Sequence, residues 1–215
     1  IARQVGKALN DKVDEKWLWK GRSVLMFDGT TVSMPDTPKN QADYPQVYYQ
    51  KPGLGFPIAR VCTIISLSCG AVLDMGICRY AGKGQGEISL LRKMWDTLSP
   101  GDVLLTDCLM STWYDMLKLK ERGVDSVSRL NKAHRRADFR RGKRLGKGDH
   151  IVRWPKSRSA LRFLDRAAYK ELPDYLEVRE VRVRVEQPGF RTKELIVVTT
   201  ILDPVAATKE DLASL

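Results

Sequence analysis

Two acidic residues stand where an acid is costly. Asp28 follows the apolar run Val24 to Phe27, and Asp107 closes the run that starts at Val103 in DVLLTDC. Each run reads as a buried β-strand, and burying an unpaired carboxylate is expensive unless a cation or hydrogen bonds compensate it. If the two strands are neighbours, the acids repel, unless one takes up a proton or a cation joins them. Mg²⁺ accepts carboxylate oxygens from a few protein groups and keeps its other positions for water and phosphate. Two such ions about 4 Å apart activate a water or a 3′-hydroxyl and stabilise the leaving oxygen of a phosphodiester. The chemistry open to these residues is therefore metal-dependent phosphoryl transfer. Both residues also fit structural roles. Asp-Gly at 28–29 is a common turn pair, and Asp107 precedes a helical segment starting near Ser111 or Thr112, which it could cap.

The elements that must position these acids can be followed along the chain. A helix is expected from Ala2 to Trp17, then a strand over VLMFDGTTVSM. The segment MPDTPKNQADYPQVYYQKPGLGFP is a long turn-rich loop carrying Tyr44, Tyr48 and Tyr49; such loops tend to be functional or to wrap a partner. IARVCTIISLSCG and AVLDMGICRY are two strands joined tightly at Cys69-Gly70, an antiparallel pair. After the turn AGKGQGE, apolar residues at 88, 90, 91, 94, 95 and 98 have helical spacing. Ser99-Pro100-Gly101 stops that helix, and DVLLTD is the next strand. TWYDMLKLKERG is a second helix, closed by Gly123, and VDSVSRL a fifth strand. A β-α-β-α-β alternation implies parallel pairing. Beyond Leu130 the texture changes. NKAHRRADFRRGKRLGKGDH is dense in Arg, Lys and Gly, and VREVRVRVEQ and KELIVVTTILD read as strands. Val181, Val183 and Val185 should face one side, with Arg182, Arg184 and Glu186 on the other.

The charge balance narrows the partner. Among 215 residues, 37 Lys+Arg stand against 26 Asp+Glu, a net charge of +11. A basic globular chain most often meets nucleic acid, less often an anionic membrane or an acidic protein. The cations concentrate at Arg135, Arg136, Arg140, Arg141, Lys143, Arg144 and Lys147, with Arg129 and Lys132 before them. Such a cluster fits contact with a DNA backbone, which carries no base specificity; a solvated basic hairpin is its bland alternative. No apolar run reaches the roughly 18 residues that span a bilayer. The opening IARQVGKALN lacks Met and a signal-peptide core, so the chain reads as a piece of a longer one. The four cysteines form no CxxC pair and are expected to be reduced and structural.

Other features point away from chemistry. Gly82 to Glu87 lacks phosphate-loop spacing, and His134 and His150 have no zinc partner at ligand spacing. The tryptophans read mostly as core or strand residues, Trp95 and Trp113 as packing on helical apolar faces. Tyr44, Tyr48 and Tyr49 could stack on bases. Asp74 and Asp102 have no acid partner to assign.

Taken together, DGTTVSMPDTPKNQADYPQ, QKPGLGFPIAR, YAGKGQGE, GDVLLTD and DFRRGKRLGKGDH resemble the DDE transposases of bacterial insertion sequences, in the insertion-sequence-four branch. The resemblance runs from about Trp17 to Leu215. It implies an α/β, ribonuclease H-like mixed sheet with a β-rich insertion before the last catalytic helix. On that pattern, 1–22 ends an N-terminal helical region, 23–130 is the catalytic core, 131–200 the basic insertion and 201–215 the start of a return to the core. Asp28 matches the first acid, in the D-G/S-T-T-type motif, and Asp107 the second, after G-D-V-L-L. Both would be catalytic and would hold Mg²⁺ or Mn²⁺. The third, a Glu on a later helix, is expected beyond Leu215, so this piece alone is expected to be inactive. Cys108 stands where many relatives carry Arg. The implied function is cleavage and strand transfer at transposon ends, on double-stranded end and target DNA, by a homodimer in the bacterial cytoplasm near the nucleoid. The alternatives are a truncated or decayed transposase that binds DNA without catalysis, and a metal-dependent nuclease without strand transfer.

Overall fold

The run Val24–Phe27 opens a strand, β1 (Val24–Ser33), whose first half is buried and whose second half emerges into solvent. The computed structural model describes residues 1–185 and 194–215. They divide into two units, Ile1–Ser99 and Pro100–Leu215.

In the first unit, α1 (Ala2–Asn10) precedes β1, and α2 (Pro38–Asp43) lies in the loop that leads to β2 (Ile58–Ser66). β3 (Val72–Arg79) and α3 (Glu87–Lys93) complete it. The three strands are antiparallel in the order β1-β2-β3. Between β2 and β3 the chain turns at Gly70, with φ of 68°, as the Cys69-Gly70 junction predicts. Period-2 alternation puts Phe27, Cys62, Ile64 and Cys78 in the core. α3 packs against this sheet and approaches closely at two glycines. A Cβ on Gly29 would lie 2.8 Å from Cys62 Sγ and 3.2 Å from Glu87 Cγ; one on Gly76 would lie 3.1 Å from Leu90 Cδ2. The first helix is shorter than expected. It ends at Asn10, because Asp11 and Asp14 favour caps and turns over helix interiors, and Asp14 caps a 3-10 turn at Glu15–Trp17. Trp17 is 65% exposed, not a core residue. α3 likewise stops at Lys93, and Trp95–Thr97 continues as a 3-10 turn.

In the second unit, β4 (Val103–Thr106), α4 (Trp113–Glu121) and β5 (Asp125–Arg129) form a helical crossover, and β4 and β5 pair in parallel as the alternation predicts. Next come β6 (Lys143–Gly146), β7 (Asp149–Pro155), α5 (Arg166–Glu171), β8 (Tyr175–Arg184), β9 (Glu194–Thr199) and α6 (Lys209–Ser214). Their pairing is antiparallel, in the order β5-β9-β8-β7-β6. Trp113, Met116 and Leu117 of α4 pack with Trp154, Leu176, Val178, Ile196 and Val198 in one hydrophobic cluster. Val181 and Val183 point into the core and Arg182 and Arg184 outward; Glu186 lies outside the described residues. The result is an α/β protein whose element order is compatible with a ribonuclease H-like arrangement.

Candidate functional site

Neither acid is buried. Asp28 sits within β1 where the strand leaves the core, and its side chain is exposed. Its Oδ1 accepts a hydrogen bond from the Gly29 N–H at 2.8 Å. Successive side chains alternate across a strand, so Asp28 faces away from the side on which Gly29 admits α3. The expectation of a buried carboxylate is therefore corrected: the apolar run ends one residue before the acid, and solvent begins at the acid itself. The turn reading of Asp28-Gly29 fails as well. Both residues are in regular register, Asp28 with Thr63 and Gly29 with Cys62, and the glycine is there because Cys62 and Glu87 occupy the space of a Cβ.

Asp107 lies one residue beyond β4 and is also exposed. Its Oδ1 accepts from the Leu109 N–H at 2.7 Å, an Asx turn that leads the chain out of the strand. It does not cap α4. That role belongs to Thr112, whose hydroxyl accepts from Asp115 N. Each acid thus commits one oxygen to a local backbone N–H and keeps the other without a protein partner among the described residues. Free carboxylate oxygens on a fixed backbone are the donor type a hard cation such as Mg²⁺ takes. Among the described residues no group of three or more His, Cys, Asp or Glu converges as a metal site. Each acid therefore fits in donor chemistry, and neither has enough neighbouring ligands for a metal among the described residues. Cys108 has its thiol 3.7 Å from Arg129 Nη2, so a guanidinium from β5 reaches the position after the second acid.

One residue packed against Gly29 escapes sequence reasoning. Glu87 opens α3 and lies 3.5 Å from Arg60 Nε; in the sequence it stands only as the end of a glycine-rich turn. Burial, reinforced by the Glu87 carboxylate, pushes the Cys62 thiol up to about 12, which removes it as a nucleophile at neutral pH.

The seven predicted DNA-binding cations do not form one class. Arg135 is half-buried, stacked 4.3 Å over the Trp154 ring, and burial pulls its pKa down. It serves packing. Arg140 donates to both oxygens of Asp138, at 2.8 and 3.1 Å, and Arg141 lies 3.3 Å from the same carboxylate. The Arg140 hydrogen bonds hold the Asp138 carboxyl down to about 2. Arg136, Lys143, Arg144 and Lys147 are exposed, with no charged partner among the described residues. Lys143 and Arg144 are on β6, and Lys147 is in the tight turn to β7 at Gly148, whose φ is 68°.

The buried charges lie elsewhere in the second unit. Arg179, 0% exposed, donates to Asp149 through Nε at 2.8 Å and Nη2 at 2.6 Å, and to the Ala207 carbonyl. Glu180 accepts from Trp154 Nε1 at 2.9 Å and faces His150 Nε2 at 3.0 Å. His150 Nδ1 lies 2.8 Å from the Arg141 carbonyl; a carbonyl only accepts, so Nδ1 carries a proton. In the first unit, the partner of Asp74 is basic rather than acidic. Arg3 donates to both its oxygens and Thr97 to one. Burial pushes this carboxyl up, but those bonds outweigh it and hold it below the usual range.

No protein-family model matches the chain, and no curated protein is similar to it in sequence. Among solved structures, a piggyBac transposase synaptic complex with hairpin DNA is similar at a TM-score of 0.44 and 7% identity, over 84% of this chain and 33% of that one. The chain therefore spans about a third of the length of that protein. No helix among the described residues is long and apolar enough to cross a membrane.

Proposed function

We propose that this chain is part of a DDE-type DNA transposase of the insertion-sequence-four kind. The observation that carries the reading is the pair of acids at β1 and just past β4, each exposed and each keeping a free carboxylate oxygen. The quoted motifs support it, as does the supply of unpaired cations on β6 and its turn. Residues 23–130 would be the ribonuclease H-like core and 131–200 its β-rich insertion. Asp28 and Asp107 would hold Mg²⁺ or Mn²⁺; when bound, the ion acts as a Lewis acid toward water and the phosphodiester oxygens. The chain's own part is positioning. The Gly29 and Leu109 N–H groups fix the two carboxylates, and Arg136, Lys143, Arg144 and Lys147 hold DNA phosphates. The partner would be double-stranded transposon-end and target DNA, and the working form a homodimer.

The test is cleavage of labelled end duplex by the intact protein in Mg²⁺, with chelator as control and pre-nicked ends supplied to look for joining. Chelator-sensitive cleavage with joined products supports the reading, and cleavage that survives chelator overturns it. Cleavage without joining would make the chain a nuclease. The second reading is a truncated or decayed transposase that binds DNA without catalysis. It predicts duplex binding that ignores chelator and no cleavage.

A further inference from the structure

The loop over residues 34–57 is a built structure. Gln41 Nε2 donates to Asp36 Oδ1 at 2.8 Å and to the Gly55 carbonyl at 3.0 Å, while its Oε1 accepts from Gln46 N. Gln46 Nε2 donates to the carbonyls of Gln50 and Lys51, and its Oε1 accepts from the N–H groups of Gly53 and Gly55. Arg79 of β3 donates to the Asp43 and Ala42 carbonyls. Val47, 3% exposed, anchors the loop from below. Two glutamines and one arginine thus satisfy the backbone groups that a loop this long would otherwise leave to water, so its conformational freedom is already given up before any ligand arrives.

This frame borders an open surface depression of about 570 Å³. Its lining includes Asp36, Thr37, Tyr48 and Gln50 and contains no Lys, Arg or His. Tyr48 is 87% exposed, an unusual state for an aromatic ring on a fixed backbone, and Tyr49 meets it edge-on at 5.6 Å. One Asp36 oxygen is taken by Gln41; the other, and the side-chain amide of Gln50, have no partner among the described residues. A lining with a carboxylate and no cation disfavours a phosphate. An aromatic wall with one amide and one carboxylate suits a flat, neutral ring that carries N–H donors on its edge.

We infer that this loop is a pocket for an unpaired DNA base, stacked on Tyr48 with its edge toward Asp36 and Gln50. The inference rests on the DNA-binding reading above. The net charge of +11 brings the strand, other residues hold its phosphates, and the loop takes a base. Asp36 accepts from an exocyclic amino group, which adenine and cytosine carry and thymine lacks.

The experiment compares the chain with Tyr48→Ala, Tyr48→Phe and Asp36→Asn for binding to dA, dC and dT oligonucleotides of equal length across a salt series, with a duplex measured in parallel. Tyr48→Ala should weaken single-strand binding roughly tenfold without changing its salt slope, since stacking is not counterion release. Tyr48→Phe should retain binding, and Asp36→Asn should reduce the preference for dA and dC over dT. Because Tyr48 and Asp36 lie outside the core, circular dichroism should be unchanged. Duplex binding kept, with Tyr48→Ala matching the parent on single strands, overturns the pocket alone. A parent that binds neither duplex nor single strands overturns the DNA reading beneath it.

Discussion

The acids at the strand ends and the charges inside the second unit are opposites. Asp28 and Asp107 are exposed and hold one local backbone bond each. Asp149, Arg179, Glu180 and His150 are buried, and Arg179 alone makes three bonds. A buried ion is tolerated only when its hydrogen-bonding capacity is used up, and a group whose capacity is used up has nothing left for a ligand. An exposed acid sacrifices little by keeping an open oxygen, since water solvates it. The buried network therefore holds the second unit together, and the exposed acids are the ones available for chemistry.

That contrast can be broken by substitution. On the proposed function, Asp28→Asn or Asp107→Asn in the intact protein should abolish chelator-sensitive cleavage of end DNA while leaving duplex binding nearly unchanged, as gel assays with and without Mg²⁺ would read. Undiminished cleavage by either variant would remove it from the site. Stability should respond in the reverse order. Arg179→Met strands Asp149 in the interior and should cost about 3–5 kcal/mol in urea denaturation, whereas Asp28→Asn should stay within about 0.5 kcal/mol. A fold indifferent to Arg179→Met would contradict the structural role. Between these two lies Glu180→Gln, which weakens the contacts to His150 and Trp154 and should cost about 1–3 kcal/mol.

The basic segment divides the same way, into used and unused charge. Replacing Arg144 and Lys147 with Gln should flatten the salt dependence of duplex binding by roughly 0.9 for each phosphate no longer neutralised. Replacing Arg140 and Arg141 should do less, because Asp138 already engages both. Asp138→Ala should release them and slightly steepen the slope. Equal effects from the two pairs would show that Asp138 does not matter to the proposed DNA contact.

Much of this frame is legible in the sequence, because local pattern sets it. The alternation in β2 and β3, the Gly70 turn and the parallel β4–β5 crossover all follow from periodicity and turn chemistry. The burial of charge is not legible. An apolar run followed by Asp looks like a buried acid, yet the run stops at the edge of the core. VREVRVRV looks like a strand with its charges outward, yet Arg179 and Glu180 are both inside. Their partners Asp149 and His150 are each 30 residues away, and no local spacing encodes such a pairing. The β6–β7 hairpin shows in the sequence as basic texture alone, since its Lys and Arg residues mask the alternation, although Gly-Lys-Gly-Asp at 146–149 is a turn signal. The separation of Arg135 from the other cations depends on the ring of Trp154, again a distant residue.

The proposed function requires that the exposed acids, and not the buried ones, bind a divalent cation. The direct measurement is Mn²⁺ titration of the chain followed by electron paramagnetic resonance, which reports binding without requiring turnover. The proposed site predicts a bound Mn²⁺ population that Asp28→Asn and Asp107→Asn each diminish. Mn²⁺ binding unchanged in both strand-end variants, or absent from the parent, would contradict it.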